Sequence, residues 1–172
     1  MRNLLVALLF IFSVSLVYGC DMGGNKGSMA STAGSKAAEF SLKSVDGKTI
    51  KLSQFKGKIV IIDFWATWCP PCRKGIPDLI AIQKEYKKDV VVIGISVDQE
   101  KTKADVPGFV KNYGINYPVV YFDDKVVQDY GGISAIPTSF VVDQSGNIVD
   151  QHVGLVSKDV FVNKIKSLLK QK

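Results

Sequence analysis

Ile59-Val60-Ile61-Ile62-Asp63-Phe64-Trp65-Ala66-Thr67-Trp68-Cys69-Pro70-Pro71-Cys72 is the stretch on which the fold of this chain turns. Ile59 to Phe64 is an almost unbroken β-branched run. Such runs mark a strand covered on both faces, as in a sheet with helices on either side. From Pro70 onward Ile76, Leu79, Ile80, Ile82 and Tyr86 follow helical spacing approximately, so a helix is expected from Pro70 to about Lys88. Pro77 should kink it, because it lacks the N–H for the Arg73 carbonyl. Cys69 and Cys72 therefore stand where a buried strand gives way to a helix.

That position has chemical consequences. A helix start presents free N–H groups and the positive end of the helix dipole, which favour thiolate, the attacking species. Two cysteines three apart can close a small disulfide ring, with Cys69 expected to be the more exposed. Pro70 and Pro71 remove two early donors but fix the first turn. A thiolate depressed less than in the strongest oxidants is expected, on the reducing or isomerising side of the scale. A stable structural disulfide is the plain alternative. A metal site is another: zinc usually takes four protein ligands, and no second cysteine pair exists, whereas copper could use Cys69, Cys72 and the lone His152. A single histidine in a strand is more often a packing or surface residue.

Asp63 interrupts the apolar strand. An unpaired carboxylate buried there is costly, so burial should raise its pKa and suit it to proton transfer with a cysteine. The simpler reading is an aspartate at a solvated sheet edge.

Outward from this centre, the pattern alternates. Phe40 to Leu52 reads as a hairpin about Asp46-Gly47. Val90 to Val97 is a second buried-type strand. Asp105-Val106-Pro107 opens a helix with Asp105 as its cap and Gly114 as its end. Val119 to Phe122 is a short strand. Thr138 to Val142 and Asn147 to Val153 read as an antiparallel hairpin. Ser157 to Leu169 is a closing amphipathic helix with Val160, Phe161, Ile165, Leu168 and Leu169 inward. The order βαβ, an extra αβ unit, then ββα predicts a layered α/β domain with helices on both sheet faces.

The N-terminal end reads as an address. Met1-Arg2-Asn3 carries one positive charge, and Leu4 to Val17 is uncharged and apolar, shorter than the roughly 20 residues of a spanning helix. Leu16-Val17-Tyr18-Gly19-Cys20 resembles a bacterial lipobox, which implies cleavage before Cys20 and its diacylation. An ordinary signal peptide cut later and an uncleaved anchor are the rival readings. Residues 1–19 are thus expected to be a signal peptide, 20–38 a lipidated cysteine and a flexible Gly/Ser/Ala-rich tether, and 39–172 the folded domain.

Composition narrows the classes. The 172 residues suit one domain, and 47% hydrophobic with 22% charged residues exclude wholesale disorder. Three cysteines exclude a disulfide-stapled scaffold. The net charge of +6 gathers partly in Lys158, Lys164, Lys166, Lys170 and Lys172, a solvated helix face or a contact with anionic headgroups. With no phosphate loop and no basic–aromatic platform, no nucleic-acid partner is expected.

The stretch Ile62 to Cys72, with Pro77 beyond it and Ile136-Pro137-Thr138 downstream, resembles the thioredoxin superfamily. The Phe64-Trp65-Ala66-Thr67-Trp68 lead-in, the unit from Val90 to Phe122 and the exported start resemble its TlpA/ResA-type branch of extracytoplasmic thiol–disulfide oxidoreductases, over roughly residues 39 to 170. The resemblance implies a thioredoxin-like α/β fold: a central mixed β-sheet flanked by helices, with an N-terminal hairpin and an inserted αβ unit. It implies that Cys69 attacks, that Cys72 resolves the mixed disulfide, and that Asp63 matches the buried acid of ordinary thioredoxins. Pro137 would be cis and face the pair, Ile136 would offer its backbone to an extended substrate, and Trp68, Pro70 and Pro71 would form an apolar contact surface. No cofactor beyond the cysteine pair and no metal is implied. The expected partners are protein thiols and disulfides and a membrane electron donor, reached by a monomer held on its lipid. Gly75 stands where cytochrome c-maturation members often carry an acid, which weakens a dedicated cytochrome c role.

Two competing functions remain at this point. Gly94-Ile95-Ser96-Val97-Asp98 and the extra αβ unit also resemble peroxiredoxin-like peroxidases. Those usually place a proline and a Thr or Ser just before the reactive cysteine. Thr67 is present, but Trp65-Ala66 precede it. A copper-binding chaperone is the other, although that family usually spaces its cysteines one residue wider.

Overall fold

The computed structural model describes residues 34–170. The signal peptide, Cys20 and the tether up to residue 33 lie outside the described residues. A small antiparallel hairpin, β1 (Ser41–Lys43) with β2 (Thr49–Lys51), precedes the main sheet. Then follow β3 (Ile59–Trp65), α1 (Pro70–Glu85), β4 (Val90–Ser96), α2 (Val106–Tyr113), β5 (Val119–Tyr121), α3 (Asp124–Asp129), β6 (Thr138–Val142), β7 (Ile148–Val153) and α4 (Lys158–Leu169). The sheet order is β5-β4-β3-β6-β7, with β3 central, parallel to β4 and antiparallel to β6. This is the expected thioredoxin-like α/β fold with a mixed sheet.

Every residue of β3 is buried, because the strand divides two cores. Ile59, Ile61 and Trp65 face a core with Ile76, Leu79 and Ile82 of α1 and Phe161 and Ile165 of α4. Val60, Ile62 and Phe64 face the other, with Phe40, Leu42, Val126 and Tyr130. Phe64, Tyr130 and Phe140 close this second core with ring centroids 5.1 to 6.0 Å apart. Period-two alternation along one strand thus separates two apolar layers.

The structure departs from the sequence expectations in four places. The segment expected to be a free tether to residue 38 is tied down from Gly34. The Gly34 N–H donates to the Ile148 carbonyl at 2.6 Å, the Ile148 N–H to Ser35 at 2.8 Å, and the Ala37 N–H to Gly146 at 2.9 Å. Small residues there let the chain lie against the β7 edge, and the Tyr130 hydroxyl donates to Ala38 at 2.9 Å. Asp105 stands at the N-cap of α2 as expected but makes no side-chain capping bond: a 3₁₀ turn, Lys103–Asp105, runs straight into the helix and keeps Asp105 in helical geometry. Val160 is exposed and Val162 buried, because Phe161, Ile165 and Leu168 set the inward stripe of α4 and Val162 falls beside it. Finally, α3 was not expected. Its cap is Asp123, whose carboxyl accepts from the Val126 N–H at 2.7 Å.

Candidate active site

β3 ends at Trp65 and the chain turns sharply into α1. The turn is closed by the Cys69 N–H donating to the Ala66 carbonyl at 3.2 Å, and braced by the Val97 N–H donating to the Trp65 carbonyl at 2.8 Å. Cys69 occupies the N-cap of α1, where its Sγ accepts from the Cys72 N–H at 3.3 Å. The two cysteines are joined, with Sγ atoms 2.09 Å and Cα atoms 5.3 Å apart. The expected difference in exposure is not seen in this oxidised form, since both are 3% exposed. The disulfide shields each sulfur with the other. What surrounds them is open: Trp68 is 58% exposed and Pro70 and Pro71 are exposed, an apolar rim beside the sulfurs.

The loop before β6 faces the pair. The Ile136–Pro137 peptide bond is cis, and the Ile136 carbonyl oxygen lies 3.8 Å from Cys69 Sγ. Beside it a groove of about 720 Å³ is lined by Trp68, Val97, Phe122, Val127, Ile133 and Ile136, with polar residues 99–102 along one wall. Part of this groove comes from α3, so it could not be foreseen from the sequence.

Asp63 is buried, so the solvated-edge reading is excluded. It stands opposite Ser139 in the sheet and accepts from the Ser139 hydroxyl at 2.8 Å. Burial pushes its pKa up to about 7, against the smaller opposing effect of the Ser139 bond. Asp63, Cys72, Pro137 and Ser139 line one cavity of about 20 Å³, room for about one water. Gly75 lies on its rim, with Leu155 packed so closely that a Cβ there would sit 3.1 Å from Leu155 Cδ1.

His152 is elsewhere. Its ring meets Phe161 edge-on at 5.6 Å, and its Nε2 lies 3.5 Å from Asp150. Among the described residues, no group of three or more His, Cys, Asp and Glu side chains is placed to hold a metal ion. Nor is any helix among them long and apolar enough to cross a membrane. Two of the C-terminal lysines are paired, Lys158 with Glu85 at 3.0 Å and Lys164 with Asp150 at 3.2 Å.

Asp98 is a site residue that no motif in the sequence marks. Its carboxyl group accepts from the Thr67 hydroxyl at 2.6 Å, the Thr67 N–H at 3.0 Å and the Ser96 hydroxyl at 2.9 Å. The available signal was an acid two residues past a buried strand, next to Ser96.

A disulfide at the start of the helix that follows the central strand, faced by a cis-proline loop and backed by a buried acid, defines a thioredoxin-like oxidoreductase. The chain belongs to the AhpC/TSA family, whose model matches residues 33–151. It is 38% identical over 136 residues to the thiol-disulfide oxidoreductase ResA of Bacillus subtilis, covering 77% of this chain and 75% of that protein. It superposes on a thiol:disulfide interchange protein of the thioredoxin family from Chlorobium tepidum with a TM-score of 0.72 and 39% identity, covering 78% and 95% of the two chains. For the pneumococcal exposed lipoprotein thioredoxin of Streptococcus pneumoniae the values are 0.67 and 36%, covering 76% and 100%. The chain is a thiol–disulfide oxidoreductase of this ResA-like kind.

Proposed function

We propose that the protein reduces or exchanges disulfides of other proteins outside the cytoplasm, using Cys69 and Cys72 as its only redox group. The observation that carries this reading is the joint placement of the disulfide: one sulfur beside the Ile136 carbonyl, the other sharing a cavity with Asp63. An extended substrate pairs with the Ile136 backbone while Trp68, Pro70 and Pro71 contact its apolar side chains.

The steps balance as a two-electron exchange. The Cys69 thiolate attacks one sulfur of the substrate disulfide, and the other substrate sulfur leaves as thiolate. Cys72 gives its proton to Asp63 through the shared cavity and becomes a thiolate. It then attacks Cys69 Sγ, expelling the second substrate thiolate and closing the Cys69–Cys72 bond. An acid with a pKa of about 7 holds comparable amounts of both protonation states near neutrality, so it can take this proton and return it when the pair is reduced.

A thiol peroxidase is less well supported. The Thr67 hydroxyl, which would have to serve a peroxide beside the reactive cysteine, is engaged by Asp98 at 2.6 Å. A copper chaperone is less well supported too, with His152 packed on Phe161. The apolar run Leu4 to Val17 and the lipobox-like sequence support export and lipidation at Cys20, with the domain acting as a monomer fed by a membrane electron donor. Apocytochrome c is one candidate among its substrates, although Gly75 offers no second acid at that place.

Turnover of insulin disulfides with dithiothreitol as donor tests the redox reading. Activity that vanishes in both Cys69→Ser and Cys72→Ser is expected, and peroxide-dependent thiol loss without insulin reduction would contradict it. Radioactive palmitate incorporation that is lost in Cys20→Ala tests the anchor. An unlabelled wild-type chain would refute it.

A further inference from the structure

Asp98 is 1% exposed and lies just beyond β4, and the exchange steps above make no use of it. Both of its oxygens are occupied. Oδ1 accepts from the Thr67 hydroxyl at 2.6 Å, and Oδ2 accepts from the Thr67 N–H at 3.0 Å and the Ser96 hydroxyl at 2.9 Å. Its own N–H donates to Ser96 Oγ at 3.2 Å. Thr67 and Trp68 are the two central residues of the turn that the Cys69 N–H closes on Ala66.

We infer that Asp98 is a positioning residue of the redox centre: by holding Thr67 at both its N–H and its hydroxyl, it fixes the Ala66–Cys69 turn and with it the Cys69 sulfur and the Trp68 indole. Ala66 and Cys69 at the ends of the turn are buried in the core, but Trp68 at its tip is exposed, so packing does not hold the tip. Held at two atoms of one residue, it cannot swing without breaking both bonds. The same anchor sets the groove, because Val97 and Gln99, on either side of Asp98, line one wall and Trp68 lines another. Three donors converge on two oxygens, so only a carboxyl group meets them all. An amide has one oxygen and would turn its NH₂ toward a donor.

The inference rests on the disulfide-exchange reading, and the experiment separates the two. Reduced full-length protein is mixed with oxidised glutathione, and both the single-turnover rate and the equilibrium between dithiol and disulfide are read. Thr67→Val removes the hydroxyl while keeping the shape, Thr67→Ser keeps the hydroxyl, and Asp98→Asn alters the acceptor. Thr67→Val and Asp98→Asn are each expected to slow the reaction by roughly tenfold, since small misplacement of a reacting atom is costly. The double variant should be no slower than the worse single one, and Thr67→Ser should stay close to wild type. If Thr67→Val matches wild type in rate and equilibrium while only its thermal midpoint falls, Asp98 is merely structural and the inference fails. It fails equally if the two effects multiply in the double variant, or if Thr67→Ser is as slow as Thr67→Val. Should Asp98→Asn not fold, the Thr67 pair decides alone. A wild-type protein that does not exchange with glutathione at all overturns the redox reading, whatever the variants do.

Discussion

Ser139 on β6 stands directly across the sheet from Asp63 on β3, and its hydroxyl donates to Asp63 Oδ1 at 2.8 Å. The bond favours the charged carboxylate, while burial favours the neutral acid, and burial prevails to leave the pKa at about 7. Ser139→Ala removes only the opposing contribution. The titration midpoint of Asp63, followed by ¹³C NMR of its carboxyl carbon, should move above that of wild type. A midpoint that falls would mean that the hydroxyl does not stabilise the carboxylate.

The same raised pKa makes stability depend on pH. An unfolded aspartate titrates near about 4, whereas the folded group holds its proton to about 7. Between these values the native state binds more protons, so stability falls as pH rises, by at most about 1.4 kcal/mol per pH unit from this group. The contribution is fully present below the unfolded pKa and gone above the folded one. Asp63→Asn should therefore flatten the urea-unfolding profile over this window and gain most, relative to wild type, above the folded pKa. A variant whose profile parallels that of wild type would contradict the assignment.

The proposed transfer of the Cys72 proton to Asp63 has a kinetic consequence. Asp63→Asn should leave the first attack by Cys69 nearly unchanged but slow resolution by roughly a hundredfold, the lower range for a lost general base. Quenched-flow trapping of the mixed disulfide separates the two steps. Unchanged resolution rates from about pH 6 to about pH 9 would remove Asp63 from the mechanism.

How far the sequence revealed this site depended on the reach of each interaction. β3 and the Cys69–Cys72 pair were legible because a β-branched run and a two-residue spacing are local signals. Pro137 was reached by resemblance. Ser139, 76 positions from Asp63 in the chain, was not legible as its partner, since only the strand register brings them together. Asp98 and Thr67 are 31 apart and meet for the same kind of reason. The α3 wall of the groove was missed because six residues, DKVVQD, are too short to show a helical period. The inward face of α4 was right at Phe161 and wrong at Val160, an error of one position at the edge of a stripe.

Gly94 is opposite Asp63 on β4, and its lack of a side chain is needed. A Cβ there would lie 2.9 Å from Trp65 Nε1 and 3.3 Å from Tyr117 Cε2. Trp65 and Tyr117 are both buried, so the ring nearest the added methyl must shift within the core. Gly94→Ala should cost about 1–3 kcal/mol in urea unfolding, the range for an overpacked core. A loss well below that range would mean that the Trp65 ring relaxes freely.

The central claim is that Cys69 makes the bond to substrate and Cys72 breaks it. The most direct measurement is the linkage site in the mixed disulfide formed with a protein disulfide. Reduced Cys72→Ser protein mixed with insulin should accumulate a stable adduct, resolved by non-reducing electrophoresis and located by mass spectrometry at Cys69. Cys69→Ser protein should form little or none, because the Cys69 sulfur lies beside the Ile136 carbonyl, where the substrate backbone docks, whereas Cys72 opens on the small cavity it shares with Asp63. Equal adduct formation through Cys72 in the Cys69→Ser protein would contradict the assignment of roles.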